Sequence, residues 1–196
     1  MRDTVTGLIL AGGLGRRMQQ RDKGLVLFRG RPLVAHVLER LAPQVAAVLI
    51  NANRHLDEYA AFGWPVVSDR IKGFAGPLAG VHAGLQVCRT PFLVTAPCDG
   101  PFLPDDLVAR LLAPLLCGQA DLAWAQTGAQ AHPVYAALRA SLAPSLEHFL
   151  AHGERKIDRW FAQHRGVAVD FPEESSFTNL NTLEELAQHE NRRRSP

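Results

Sequence analysis

The sequence predicts an α/β fold, a mostly parallel sheet with helices on both faces, and three observations lead there. Short runs of β-branched and aliphatic residues alternate with apolar stripes at helical spacing over about the first 125 residues. Gly, Pro and Asn punctuate the junctions. The polar residues suited to chemistry stand just behind the strand runs, where open α/β sheets bind ligands.

Residues 5–10 read as a buried strand, because VTGLIL is a short apolar run stopped by Gly12 and Gly13. A loop follows. Pro32 opens a helix in which Leu33, Val37, Leu38 and Leu41 line one face, and Pro43 closes it. Residues 45–50 form the second strand, 54–61 a helix and 65–67 a brief third strand, after which Gly73, Gly76 and Pro77 mark another loop. A helix over 78–87 precedes the fourth strand, 92–96, which Pro97 cuts off just before Asp99. The helix over 104–116 begins with Pro104, and Asp105 and Asp106 in its first turn suit the positive end of the helix dipole. The remainder is less regular: strands over 120–125, 134–138 and 167–171, helices over 141–151, 157–164 and 182–189, and a loose end past His189.

A length of 196 residues suits one domain, and 47% hydrophobic with 20% charged residues allows a sizeable core. The formal charge is +2, but Arg192, Arg193 and Arg194 carry three positive charges, so the rest of the chain is close to neutral. That is a basic tail rather than a basic face, and no nucleic-acid partner is expected. Cys88, Cys98 and Cys117 form an odd set without a C-x-x-C pair, which fits a reducing cytoplasm better than a disulfide framework or zinc knuckle. Asp3 spoils the flank of a secretory leader. Arg110 and Pro114 interrupt the longest apolar run, so no membrane partner is expected either.

Behind the first strand comes Leu10-Ala11-Gly12-Gly13-Leu14-Gly15-Arg16-Arg17-Met18, then Asp22-Lys23; Asn51 to Asn53 follow the second strand, Asp69 the third and Asp99 the fourth. Glycines let backbone N–H groups approach phosphate oxygens, and Arg16, Arg17 and Lys23 bring neutralising charge. Together they suggest a nucleoside triphosphate cradle. Met18 stands where a dinucleotide fingerprint needs Gly or Ala, and Lys23-Gly24-Leu25 lacks the Ser or Thr of a Walker loop. No G-x-S-x-G elbow appears, and Cys98 has no evident partner for thiolate chemistry, so acyl transfer is not expected.

Leu10-Ala11-Gly12-Gly13-x-Gly15-x-Arg17-Met18 with Asp22-Lys23 resembles the signature loop of the nucleotidyltransferase superfamily. Together with Asn51-Ala52-Asn53-Arg54, Gly76-Pro77-Leu78-Ala79-Gly80, Pro97-Cys98-Asp99, His132-Pro133 and Asn179-Leu180-Asn181-Thr182, it resembles the molybdenum cofactor guanylyltransferases almost end to end. Three positions depart from the pattern: Gly15 stands for a frequent Ser, Gln19 for Gly, and Leu183 for a Pro that would preset the last helix. The resemblance implies a Rossmann-like three-layer α/β/α nucleotidyltransferase fold over residues 1–190, with a nucleotide part to about 125 and a second-substrate part over 126–190. It also implies transfer of GMP from GTP to the terminal phosphate of molybdenum-molybdopterin with Mg²⁺, and transient contact with molybdenum-insertion proteins or molybdoenzyme targets. The alternatives are another guanylyl- or cytidylyltransferase, acting on a sugar phosphate, phospholactate or the cytosine form of the cofactor, and a nucleotide-binding module without turnover.

On this reading Asp99 holds the metal, Lys23 pairs with the β- and γ-phosphates, and Arg17 assists. Leu10, Ala11, Gly12, Gly13, Gly15, Asn51, Asp69 and Gly80 contact GTP, and His132, Asn179 and Asn181 contact molybdopterin. Ordinary structural roles stand beside these. Asp99 and Asp69 also suit turns or caps, Asn51 a strand end, and Gly80 and Gly84 close helix packing. Asn179 and Asn181 offer donors and acceptors for a pterin ring, or they cap the last helix; the residues alone leave both open.

Overall fold

The computed structural model describes residues 2–12, 22–71 and 76–191. Its elements are β1 (Val5–Leu10), β2 (Leu27–Phe28), β3 (Arg31–Pro32), α1 (Leu33–Leu41), β4 (Ala47–Asn51), α2 (Leu56–Ala60), β5 (Val66–Val67), α3 (Pro77–Val87), β6 (Phe92–Pro97), α4 (Leu107–Leu116), β7 (Leu122–Thr127), β8 (Gln130–Arg139), α5 (Ala143–Ala151), α6 (Ile157–Phe161), β9 (Gly166–Asp170) and α7 (Leu183–Asn191). Among the described residues, seven strands form one sheet in the order β5-β4-β1-β6-β8-β7-β9. β8 runs against its two neighbours, and the other pairings are parallel.

Strand alternation sends β1 side chains to two cores. Val5, Ile9 and the following Ala11 meet α1, α4 and Tyr59 of α2 on one face. Leu8 and Leu10 meet α3, α5 and α6 on the other. α3 approaches closely because Gly84 has no side chain: a Cβ there would lie 2.6 Å from Leu8 Cδ2. The sheet is thus covered on both sides, as the alternation of elements requires.

Tertiary contacts move several expected boundaries. The helix expected from Pro104 begins at Leu107, with Asp106 at its N-cap. Arg40 takes the Leu103 carbonyl at 2.8 Å and the Asp105 carboxylate at 2.9 Å, while Gln44 Oε1 accepts from the Val108 N–H at 3.0 Å. These bonds hold the proline segment outside the helix. The expected loop before α1 contains the β2–β3 ribbon, turned at Arg29 (φ 53°) and Gly30 (φ 74°), the positive pair that a type I′ hairpin needs. Pro32 ends this ribbon and caps α1 instead of starting it. β8 runs through Pro133, where the pairing shifts between Trp124 and Ala125. There Thr95 Oγ1 donates to the Val134 carbonyl at 2.6 Å and accepts from the Ala136 N–H at 3.2 Å, so it replaces lost ladder bonds. The expected helix over 157–164 stops at Phe161, and α7 extends to Asn191 beyond the expected loose end. The basic tail, residues 192–196, lies outside the described residues.

His82 of α3 is 4% exposed, and its Nδ1 has no hydrogen-bond partner among the described residues. Burial lowers its pKa from the ordinary 6.5, with Glu147 partly opposing. His132 and His164 are lowered by burial too. A histidine lowered in the folded state contributes stability that is present above its unfolded pKa and lost as pH falls, because the unfolded chain binds the proton first. Urea midpoints should therefore fall on going from about pH 7.5 to 5.5, by at most about 1.4 kcal/mol per pH unit for His82. His82→Gln should flatten the slope; an unchanged slope in that variant would remove His82 from the account.

Candidate active site

The chain leaves β1 toward β4 on one side and returns, through α3, to β6 on the other, so the sheet reverses its order between β1 and β6. Ligand crevices of open α/β sheets lie at such a switch point, beyond the strands' carboxyl ends. Leu10 stands level with Asn51 on one side and Pro97 on the other, and Asn51 with Val67. The ladder then runs one step further: the Ala11 N–H donates to Asn51 O at 2.8 Å, Cys98 N–H to Leu10 O at 3.1 Å, and Ala52 N–H to Val67 O at 3.0 Å. Ala11, Gly12, Asn53, Asp69 and Asp99 emerge along this single edge.

One half of the edge is a carboxamide–carboxylate frame. Asn51 Nδ2 donates to the Val67 carbonyl at 3.2 Å and to Asp69 Oδ1 at 2.9 Å; Asn53 Nδ2 donates to Asp69 Oδ2 at 2.8 Å and to Gly12 O at 3.4 Å. Asn53 Oδ1 in turn accepts from the Asp69 N–H at 2.9 Å. Asp69 is held at both oxygens. Asn51 is only 2% exposed, which makes it a support for Asp69 more than an open surface. A Cβ on Gly12 would come within 2.9 Å of both asparagine side chains, and one on Gly80 would collide with Asn51 Oδ1. Gly80 therefore has a packing reason to be glycine: it seats Asn51 and Leu10 beneath α3.

The other half is charged. Lys23 Nζ lies 3.1 Å from Asp99 Oδ2 and donates to Asn181 Oδ1 at 2.6 Å. The side chains are 26% exposed for Lys23 and 10% for Asp99, so the pair lines the wall of the crevice. Asp99 Oδ1 takes no protein hydrogen bond among the described residues. Next to it, burial pushes the Cys98 thiol up, with the Asp99 and Asp22 carboxylates adding, so Cys98 stays a protonated packing residue. No group of three or more His, Cys, Asp or Glu gathers as a metal cage among the described residues. One carboxylate suits a magnesium ion that takes its remaining ligands from phosphate and water, so Asp99 fits that role when nucleotide is present.

Asn181 meets this wall through Lys23, Asn179 stands two residues before it, and the cap on α7 is made by other residues. Thr182 Oγ1 accepts from the Glu185 N–H at 3.1 Å, and Glu185 Oε2 accepts from the Thr182 and Asn181 N–H groups at 3.2 and 2.6 Å. This reciprocal capping box supplies the start that a proline at position 183 would otherwise preset. The asparagine side chains take no part in that box; Asn181 Nδ2 donates instead to the Asn179 carbonyl at 3.3 Å. Leu180 N–H donates to Asp99 O at 2.9 Å and fastens the segment there. Tyr135 Oη donates to Asn179 Oδ1 at 3.3 Å, and Gly100 leaves the space that this phenol occupies. His132 lies further along: its Nε2 is 2.8 Å from Thr127 Oγ1 and its ring stacks on Phe177 at 4.8 Å, which in turn meets Tyr135.

Asn53, Tyr135, Gly100 and Glu185 thus belong to the construction of the site and were not among the expected ligands. Asn53 and Glu185 carried a signal, as the second asparagine of a strand-end motif and the fourth residue of a Thr-x-x-Glu box. Tyr135 carried no such signal. Gly13, Gly15 and Arg17 lie outside the described residues.

The crevice thus has a carboxamide–carboxylate frame on one flank and a lysine–aspartate wall on the other. The MobA-like NTP transferase domain matches residues 7–168, which makes this chain a nucleotidyltransferase. Proteins of Cupriavidus metallidurans and Bordetella petrii, both called molybdenum cofactor guanylyltransferase, are 51% and 50% identical to it; the matches cover 99% and 94% of this chain and 98% and 96% of theirs. The chain belongs to the molybdenum cofactor guanylyltransferase family. Among solved structures, molybdopterin-guanine dinucleotide biosynthesis protein A from Archaeoglobus fulgidus superposes with a TM-score of 0.77 at 25% identity, over 97% of this chain and 100% of that one. The 4-diphosphocytidyl-2C-methyl-D-erythritol synthase of Anaerococcus prevotii shares the fold at a TM-score of 0.78 and 12% identity, over 98% and 96% of the two chains.

Because Thr182 and Glu185 make the cap, Thr182→Ala should cost about 1 kcal/mol of stability and Asn181→Ala much less. Thermal denaturation of the two variants decides. A larger loss in Asn181→Ala would return that side chain to the helix cap.

Proposed function

We propose that this chain transfers GMP from GTP to the terminal phosphate of molybdenum-molybdopterin, forming the guanine dinucleotide cofactor and pyrophosphate. The observation that carries this reading is the meeting of Lys23, Asp99 and Asn181 at the switch point, in a chain about half identical, end to end, to molybdenum cofactor guanylyltransferases. An oxygen of the acceptor phosphate attacks the α-phosphorus of GTP, a new P–O bond forms, and the bond to the β-phosphate breaks as pyrophosphate leaves. A phosphate nucleophile with a second pKa near 6 is largely ionised at neutral pH, so no general base is needed. The crevice accordingly relies on alignment and charge.

In this reading Lys23 leaves Asp99 and Asn181 for the β- and γ-phosphates, with Arg17 assisting, and Leu10, Ala11, Gly12, Gly13 and Gly15 offer the nucleotide their backbone. Asp99 would hold Mg²⁺, which supplies neutralising charge at the phosphates. Asn51 and Gly80 act through Asp69, whose acceptor oxygens suit the N1 and N2 donors of guanine. Residues to about 125 serve the nucleotide. Residues 126–190 serve molybdopterin, through Asn179, Asn181 and His132. Three free thiols, Cys88, Cys98 and Cys117, support a reducing cytoplasmic setting. Delivery of molybdopterin and release of product call for transient contacts with molybdenum-insertion proteins or molybdoenzyme targets. No helix among the described residues is long and apolar enough to cross a membrane.

Asp99→Asn keeps the shape and removes the charge, so pyrophosphate release should fall by about 100-fold or more while the fold persists. Near-normal turnover with unchanged Mg²⁺ dependence would take the metal away from Asp99. In single-turnover competition GTP should win over ATP and CTP; an acceptor left unpaired by adenine costs about 1–3 kcal/mol, or roughly 5- to 150-fold. Use of CTP as good as GTP would move the chain to the cytidylyl branch.

A further inference from the structure

Tyr59 sits in α2, and the reaction as described gives it no task. It is fully buried, yet its hydroxyl donates to Asp22 Oδ1, one residue before Lys23. Asp22 is itself 6% exposed, so its carboxylate is spent inward, away from the crevice that Lys23 faces. The same phenol shapes the residue after Lys23. A Cβ built on Gly24 would collide with Tyr59 Oη and stand 3.2 Å from ring atoms Cε1 and Cζ. Both chain neighbours of Lys23 are therefore fitted to one hydroxyl: Asp22 reaches for it, and Gly24 makes room for it. The turn closes tightly around this point, with Leu25 N–H donating to Asp22 O and Val26 N–H to Lys23 O, each at 3.1 Å.

We infer that Tyr59 is a positioning residue for nucleotidyl transfer: its hydroxyl pins the Asp22–Lys23–Gly24 turn and so aims the Lys23 ammonium into the crevice. Burial holds the phenol far above its ordinary range, with the Asp22 carboxylate adding, so the hydroxyl keeps its proton and stays a donor. A lysine side chain is long and rich in rotamers, and a fixed backbone root limits where its ammonium can reach. Core packing alone asks nothing of a hydroxyl; phenylalanine would fill the same space.

The inference rests on the reading that Lys23 faces the β- and γ-phosphates, and a double-mutant cycle separates the two. Calorimetry would measure GTP and GMP binding to the wild type, Tyr59→Phe, Lys23→Ala and the double variant, all with Mg²⁺. Lys23→Ala should weaken GTP and largely spare GMP. Tyr59→Phe should weaken GTP about tenfold, leave GMP within about twofold, and add nothing in the Lys23→Ala background. Equal losses of GTP and GMP in Lys23→Ala alone overturn the reading of Lys23 and the inference with it. With the expected Lys23→Ala result, equal losses for the two nucleotides in Tyr59→Phe, no loss there, or additive losses in the double variant overturn the role of Tyr59. If Tyr59→Phe fails to fold, Asp22→Ala removes the acceptor while leaving the ring packed, and takes its place in the cycle with the same outcomes.

Discussion

β1 is hydrogen-bonded along both edges and buried on both faces, and the rest of the molecule follows from that constraint. A strand so enclosed is apolar except at Thr6, whose hydroxyl lies 2.8 Å from that of Thr90, and it receives helices from either side, which accounts for the two cores divided by the sheet. Its backbone finds partners until the chain passes Leu10. There the ladder has one more rung on each side, from the Ala11 and Cys98 N–H groups, and then ends, so the backbone leaves the sheet just past the Ala11 N–H. The placement of the crevice is a property of strand termination before it is a property of any side chain.

The crevice carries its own substitutes for a ligand. Lys23 is satisfied by Asp99 and Asn181, and Asp69 by two carboxamides. A partly exposed pair such as Lys23 and Asp99 contributes little net stability, because Coulomb attraction is offset by desolvation and side-chain ordering. On the proposed reading, exchanging Asp99 for phosphate oxygens thus costs Lys23 little. The more rigid parts lie behind it, in the Tyr59–Asp22 contact and the capping box that carries Asn181.

Much of this was legible in residue order. The strand-end positions Leu10, Ala11, Gly12, Asn51, Asp69 and Asp99 could be found because alternating strands and helices leave few places for polar residues to gather. Boundaries were harder wherever a distant side chain decided them: Gln44 and Arg40 determine where α4 starts, and Thr95 lets β8 run on through Pro133. A two-residue strand is too short to show a period, so the β2–β3 ribbon was invisible. Tyr59 and Tyr135 were unreadable as parts of the site for another reason: a buried aromatic looks the same whether or not its hydroxyl has work to do.

The contact between Lys23 and Asn181 joins residues 158 positions apart. Synthesis from the amino terminus releases the glycine-rich strand end, Lys23 and Asp99 long before the segment that completes their wall. An emerging chain can therefore build the β1–β6 half of the sheet early, but the second half of the crevice waits for α7, whose capping box holds Asn181 in place. Assembly of the full wall thus waits until α7 has been made and its cap has formed.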